Sequence, residues 1–216
     1  MPESMFVRLF AGVPPDYFDA IPLIPFGQWL LPIGIFLLVA GFYWEEGRKL
    51  EMLSLYRYRT VSGWWKWHFR KGMLSGIRTA AGLLLIVLIC DMAMGNGAAL
   101  SRKAVAGIGI LWLFHSVSMA ALFALLDLFL LRRFAPGLLF LLEGVTFIAG
   151  CRVRGISHVM YGMWGMYLQS SLCETEGFPA GAVITAEMIL VAASYLTGRE
   201  YLMSRNSSDR PAHLLR

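Results

Sequence analysis

Residues 45–78, EEGRKLEMLSLYRYRTVSGWWKWHFRKGMLSGIR, hold eight of the nineteen Lys and Arg residues of the chain: Arg48, Lys49, Arg57, Arg59, Lys66, Arg70, Lys71 and Arg78. A long apolar run precedes this stretch and another follows it. Basic residues beside membrane spans are retained on the cytoplasmic side, where they meet anionic lipid. The stretch therefore sets the expected topology of everything around it. It is also the expected meeting place for a soluble partner.

The wider composition agrees. Of the 216 residues, 57% are hydrophobic, and mean hydropathy is +0.61, whereas soluble domains average roughly 45–50% apolar. Several windows approach the ~18–20 apolar residues that cross a bilayer. The expected fold is all-α: a polytopic integral membrane helix bundle with about five transmembrane helices, an amphipathic cytoplasmic helix and a candidate re-entrant segment. The net charge of +5 does not point to nucleic acid, because the cations sit in short loops between apolar runs rather than on one phosphate-binding face. Cys90, Cys151 and Cys173 are odd in number and lack CxxC spacing, so neither a metal site nor a cofactor is expected. Cys151 and Cys173 flank one external segment and could pair in an oxidising compartment. The N-terminal residues do not resemble a secretory signal peptide.

Taken in order, residues 1–28 form an external or interfacial segment whose proline density argues against a span, with Phe6, Phe10, Tyr17 and Phe18 suited to headgroup level. Residues 29–198 form the transmembrane domain and residues 199–216 a polar cytoplasmic tail. Spans are expected near 29–44 (WLLPIGIFLLVAGFYW), 77–94, 104–131, 138–150 and 180–196, with the cytoplasmic basic loop at 45–76. Within that loop Trp64, Trp67 and Lys71 share one helical side while Lys66 and Arg70 lie on another, the spacing of a helix resting at the membrane surface. The segment 159–172, VMYGMWGMYLQSSL, is apolar but glycine-rich and reads as a dip or half-span.

Counting charges tests the orientation. With the basic loop inside and five alternating spans, fourteen Lys and Arg fall on the cytoplasmic side and five outside, as retention of positive charge requires. The N-terminus is then outside and the C-terminus cytoplasmic in the plasma membrane. Ionisable groups at membrane depth are costly and usually face a bundle interior or a wet cavity. His115, Glu143 and Glu187 are the intramembrane polar candidates, the two glutamates lying too far from span ends to reach the interface. They are expected to line a translocation interface or to bind a polar group across helices. Ala80, Gly107, Ala120, Ala121 and Ala124 supply small residues for close helix approach.

No GxxxxGK[ST] or HExxH is present, so no catalytic residue is assigned and any ATP hydrolysis is expected from a partner. Ser157 and His158 are adjacent, but neighbours on a helix point about 100° apart and do not make a nucleophile–base pair.

The arrangement of a Pro/aromatic external stretch, an apolar span, LSLYRYRTVSGWWKWHFRKG (residues 53–72) and a further span resembles the small bacterial ABC-2-type transporter permeases. In these a basic phrase is followed by tryptophan, and here Arg57-Tyr58-Arg59 and Ser62-Gly63-Trp64-Trp65 stand at that place. The resemblance implies a membrane subunit of an export system, coupled to a separate ABC-type ATPase and paired with itself or a homologous permease. It also implies a coupling helix, whose partner-facing residues would be Arg57, Tyr58, Arg59, Trp64, Trp65, Lys66 and Trp67. The chain departs from the family pattern by lacking its usual first span. The competing expectations are a non-transporting accessory or immunity protein whose loop binds lipid or another membrane protein, and an intramembrane enzyme, for which a convergent polar set is needed.

Overall fold

The computed structural model describes residues 4–14, 23–49, 60–95, 101–130, 134–152 and 158–208. Arg57, Tyr58 and Arg59, with most of the preceding basic loop, lie outside the described residues, as does the end of the polar tail. Among the described residues a short helix α1 (Met5–Phe10) is followed by five long ones: α2 (Leu23–Lys49), α3 (Val61–Ala93), α4 (Arg102–Phe129), α5 (Ala135–Arg152) and α6 (Ala180–Ser208). All five long helices contain stretches long and apolar enough to cross a membrane, and the chain is a multi-pass membrane protein of the all-α class.

Their outer faces are apolar. Leu38, Leu85, Ile86, Ile89, Leu141, Val145 and Ile189 are all more than half exposed, which in water would invite aggregation and in a bilayer is simply contact with acyl chains. The interior is packed with Trp29, Phe36, Trp112, Phe123 and Phe147. Ala80, Ala120, Ala121 and Ala124 are buried between helices, so the small residues do bring backbones together.

The bundle has two distinct ends. At one, Trp65 at the start of α3 meets Tyr195 late in α6, and Phe129 at the end of α4 meets Tyr201. At the other, called here the capped end, the end of α3 and the start of α4 are covered by residues 4–14 and 158–179. Asp91 in the last turn of α3 is fully buried. It accepts from the Ser4 hydroxyl and from the backbone N–H groups of Met5 and Phe6, each of the latter at 3.2 Å. A carboxylate at this position satisfies the free N–H groups of α1 and complements its dipole. Phe6 and Phe10 are thereby sunk into the core, Phe10 edge-on to Trp112 at 5.0 Å, rather than spread at headgroup level. The Leu168 N–H then donates to the Ala11 carbonyl at 2.9 Å, and the Gln169 side chain to the Val13 carbonyl at 2.6 Å. Cys151 is buried, Cys173 is exposed, and both are free thiols.

The expected surface helix is not a separate element. Thr60 caps the N-terminus of α3 by accepting from the Gly63 N–H at 3.1 Å, and the helix runs unbroken for 33 residues to Ala93. At 1.5 Å per residue that is about 50 Å, well beyond a hydrocarbon core of ~30 Å. The first turns therefore project from the span as its rigid continuation. Trp65 is fully buried there, its indole N–H donating to the Tyr195 carbonyl at 2.8 Å. Gly198 makes room for it: a Cβ at that position would collide with the edge of the indole ring. Trp64 is also buried and stacks on His68 at 4.9 Å. Lys66, Arg70 and Lys71 are exposed, and the Lys71 ammonium lies 5.2 Å from the Trp67 ring centre. α2 likewise begins earlier than expected, at Leu23. Pro32 is thus interior to it and leaves the Gln28 carbonyl without its helical donor.

Because Trp65 fills the α3–α6 contact, Trp65→Ala should destabilise the bundle by about 3–5 kcal/mol. Lys66→Ala, one position away on the exposed side, should cost no more than about 0.5 kcal/mol. Unfolding of the two variants in the same mild detergent checks the contrast.

Candidate functional site

His115 lies at the middle of α4, Glu143 at the middle of α5 and Glu187 in the second turn of α6. Separated by 28 and 72 residues along the chain, the two glutamates converge on one imidazole. Nε2 of His115 is 2.8 Å from Glu143 Oε1, and Nδ1 is 2.8 Å from Glu187 Oε1. All three side chains are at most 1% exposed. The imidazole is therefore a strut between two carboxylates carried by two different helices.

The proton content of this strut follows from its chemistry. A carboxylate oxygen only accepts, and an unprotonated ring nitrogen only accepts. Each 2.8 Å contact therefore needs a proton of its own, whether carried by nitrogen or by oxygen. With two protons in the two bridges, the trio bears one net negative charge in every arrangement of those protons. Neither glutamate forms an ion pair with Lys or Arg among the described residues. Glu143 Oε2 and Glu187 Oε2 are buried and have no hydrogen-bond partner, and the same holds for Ser116 Oγ and for the indole nitrogens of Trp29 and Trp112. An uncompensated buried charge costs several kcal/mol, and buried polar atoms are normally satisfied. This is a site with acceptor capacity left over.

The capped end closes over it. The Tyr161 ring lies 4.8 Å from the imidazole, and its hydroxyl is 2.8 Å from Ser118 Oγ. Ser118 donates to the His115 carbonyl at 2.8 Å, so both bonds are made when the tyrosine donates to the serine. Tyr161 belongs to the first of two 3-10 turns, Tyr161–Met163 and Tyr167–Gln169. Between them Gly165 lies flat on the histidine: a Cβ there would come within 2.9 Å of His115 Cδ2 and 3.0 Å of Trp29 Cη2. Gly162 is held as closely against α5, its N–H donating to Thr146 Oγ1 at 2.9 Å. The glycines of VMYGMWGMYLQSSL thus serve close backbone approach to the polar centre, which is what the dip read from sequence becomes.

Of the residues singled out in the sequence, the structure unites His115, Glu143 and Glu187 and leaves Trp64, Trp65, Lys66 and Trp67 far along α3 at the opposite end. His158 is exposed and accepts at its carbonyl from the Trp164 indole at 3.1 Å. Sequence reasoning did not find Tyr161, Ser118, Gly165 or Trp29. The available signal was Ser118 one helical turn from His115, together with glycine at 162 and 165 beside aromatics. Among the described residues no group of three or more His, Cys, Asp or Glu side chains is arranged to hold a metal ion. No family model matches the chain, and no curated protein or solved structure is significantly similar to it.

Removing the strut should leave two buried carboxylates facing each other. His115→Ala is expected to destabilise the bundle by about 3–5 kcal/mol. Glu143→Gln and Glu187→Gln, which keep a hydrogen-bonding group beside the imidazole, should each cost about 1–3 kcal/mol. Equal losses in all three, measured by unfolding in detergent, would contradict the bridging role.

Proposed function

We propose that the protein is the membrane-spanning subunit of a transport system of the export type, with the Glu143–His115–Glu187 bridge as the polar centre of its translocation interface. The observation that carries this reading is the placement of three ionisable side chains from three helices in the buried, apolar interior of the bundle. Groups so placed are costly and in membrane proteins mark ion and substrate pathways. Two carboxyl oxygens without partners leave the centre able to take up a polar group.

In this reading a separate ABC-type ATPase supplies the work, and the chain pairs with itself or with a homologous permease. Support for that part is the resemblance carried by residues 57–59 and 62–65. The projecting start of α3 suits such a role mechanically: a helix continuous with a span transmits displacement without a joint. Trp64 and Trp65 are committed to packing inside the bundle, so the surface offered to a partner or to anionic lipid is the exposed Lys66, Arg70 and Lys71 with Trp67. The excess of cations at this end argues for placing it in the cytoplasm, with the N-terminus outside the plasma membrane and the C-terminus inside.

Purification of the tagged chain from its host in mild detergent should recover a P-loop ATPase. Lys66→Glu/Arg70→Glu/Lys71→Glu should lose it while remaining folded. Glu143→Gln and Glu187→Gln should retain the ATPase but lower the ATP hydrolysis of the complex by about tenfold, about 1.4 kcal/mol in the barrier. Absence of any ATPase with abundant folded protein would replace this reading with the accessory protein. Unaltered hydrolysis in both glutamine variants would remove the bridge from the transport path.

A further inference from the structure

The unfilled acceptor capacity of the bridge points to a particular ligand. We infer that Glu143, His115 and Glu187 form a proton-binding site that takes up one exchangeable proton beyond the two held in its bridges. The imidazole passes charge between the carboxyl groups of α5 and α6. The role of this proton as the coupling ion rests on the transport reading above, whereas its binding does not.

With two bridging protons the trio is anionic, sealed beneath Tyr161 and Gly165, and unpaired with any cation among the described residues. One proton on Glu143 Oε2 or Glu187 Oε2, the two carboxyl oxygens left without partners, brings the whole site to zero charge. No movement of a helix is required. The titratable groups that meet the imidazole are Glu143 from α5, Glu187 from α6 and the Tyr161 phenol from the first 3-10 turn. Among the described side chains of α2, the Trp29 indole is the one near the imidazole, 6.4 Å from it between ring centres. No hydrogen bond or ion pair from α1 or α3 reaches the three residues. A metal cation is a poorer fit. A hard cation needs a shell of several oxygens, and both nitrogens of the imidazole are already engaged in the two bridges.

The bridges also give the proton a route. In one arrangement Glu143 carries its proton on Oε1 and points it at Nε2, while Nδ1–H points at the Glu187 carboxylate. The O–H bond at Glu143 breaks as an N–H bond forms at Nε2. The N–H bond at Nδ1 breaks as an O–H bond forms at Glu187 Oε1. The negative charge passes from Glu187 to Glu143, no proton is gained or lost, and the imidazole is left as its other tautomer. A proton delivered by water to one carboxyl group can thus leave from the other. Each passage inverts the ring tautomer, so a turn of the imidazole between passages completes the cycle.

Infrared difference spectroscopy of the full chain in lipid bilayers reads the site directly, whatever the protein transports. A pH step should change the C=O stretch of about one protonated carboxyl group per chain. The band should shift in Glu143→Gln and in Glu187→Gln and vanish in the double variant, with size-exclusion profiles and helix content unchanged. His115→Gln should split the response into two independent carboxyl titrations, because the groups no longer share a bridge. Two results would overturn the inference. One is a wild-type carboxyl signal that stays constant between about pH 4 and pH 10, the range spanning carboxyl and amine titration. The other is a signal driven by Na+ or K+ at fixed pH, which would make the ligand a metal cation. A pH-dependent band in a chain that recovers no ATPase would leave the proton site standing and remove the transport reading.

Discussion

Everything at the centre of this bundle depends on the double hydrogen bond of His115. In a bilayer the hydrophobic effect does not hold helices to one another, since lipid tails are as apolar as leucine. Association then rests on packing and on the few polar contacts that cross between helices. Here one imidazole joins α4 to both α5 and α6, and the surrounding shell is arranged around that join. Ser118 and Tyr161 tie the capping turn to the same helix turn, and Gly165 exists as glycine because the imidazole occupies the space a side chain would need. A leucine at 115 would pack against helices but would give α5 and α6 no reason to present carboxyl groups to one point.

The capped end works by the same economy of polar contacts. Asp91 takes the open end of α1, and two further bonds run from the 3-10 turns to the carbonyls of Ala11 and Val13. The segment at the start of the chain is thus locked to the segment before α6, and the two together form one lid over His115. Each bond is modest, but in a low-dielectric setting an unpaired partner is expensive, so the lid is held by what its loss would expose.

Much of this was legible in sequence, and the limits have physical causes. Apolar stretches that approach the length of a span and the clustering of cations mark out the five spans, because bilayer thickness imposes a length and the cost of charge imposes a position. His115, Glu143 and Glu187 stand out for the same reason. Their convergence does not, since nothing local in residues 28 and 72 positions apart specifies which helix faces meet. The Trp64–Lys71 alternation gave the right helix and the wrong boundary. Its spacing is that of a surface helix, but with no proline before Ala93 and only isolated glycines at 63, 72, 76 and 82, nothing stops the helix from running on into the span. Trp65 faces inward because Gly198, more than 130 residues later, leaves room for an indole, which periodicity within α3 cannot reveal. In the sequence Asp91 is only a charge near the end of an apolar run; its cap on α1 requires knowing that the first residues fold back across the end of α3.

The chain order of the three central residues has a consequence for how the protein is made. Membrane helices enter the bilayer in sequence, so His115 and Glu143, 28 residues apart, are both in place before Glu187 leaves the ribosome. A neutral pair, one proton between an imidazole and a carboxyl group and one more on either of them, can shelter in a four-helix intermediate. The second carboxylate arrives only with α6, after the 3-10 turns that must lie over the site have been synthesised. The bundle is therefore insertable in stages without ever exposing two bare carboxylates to lipid, and the charge that distinguishes the finished site is added last.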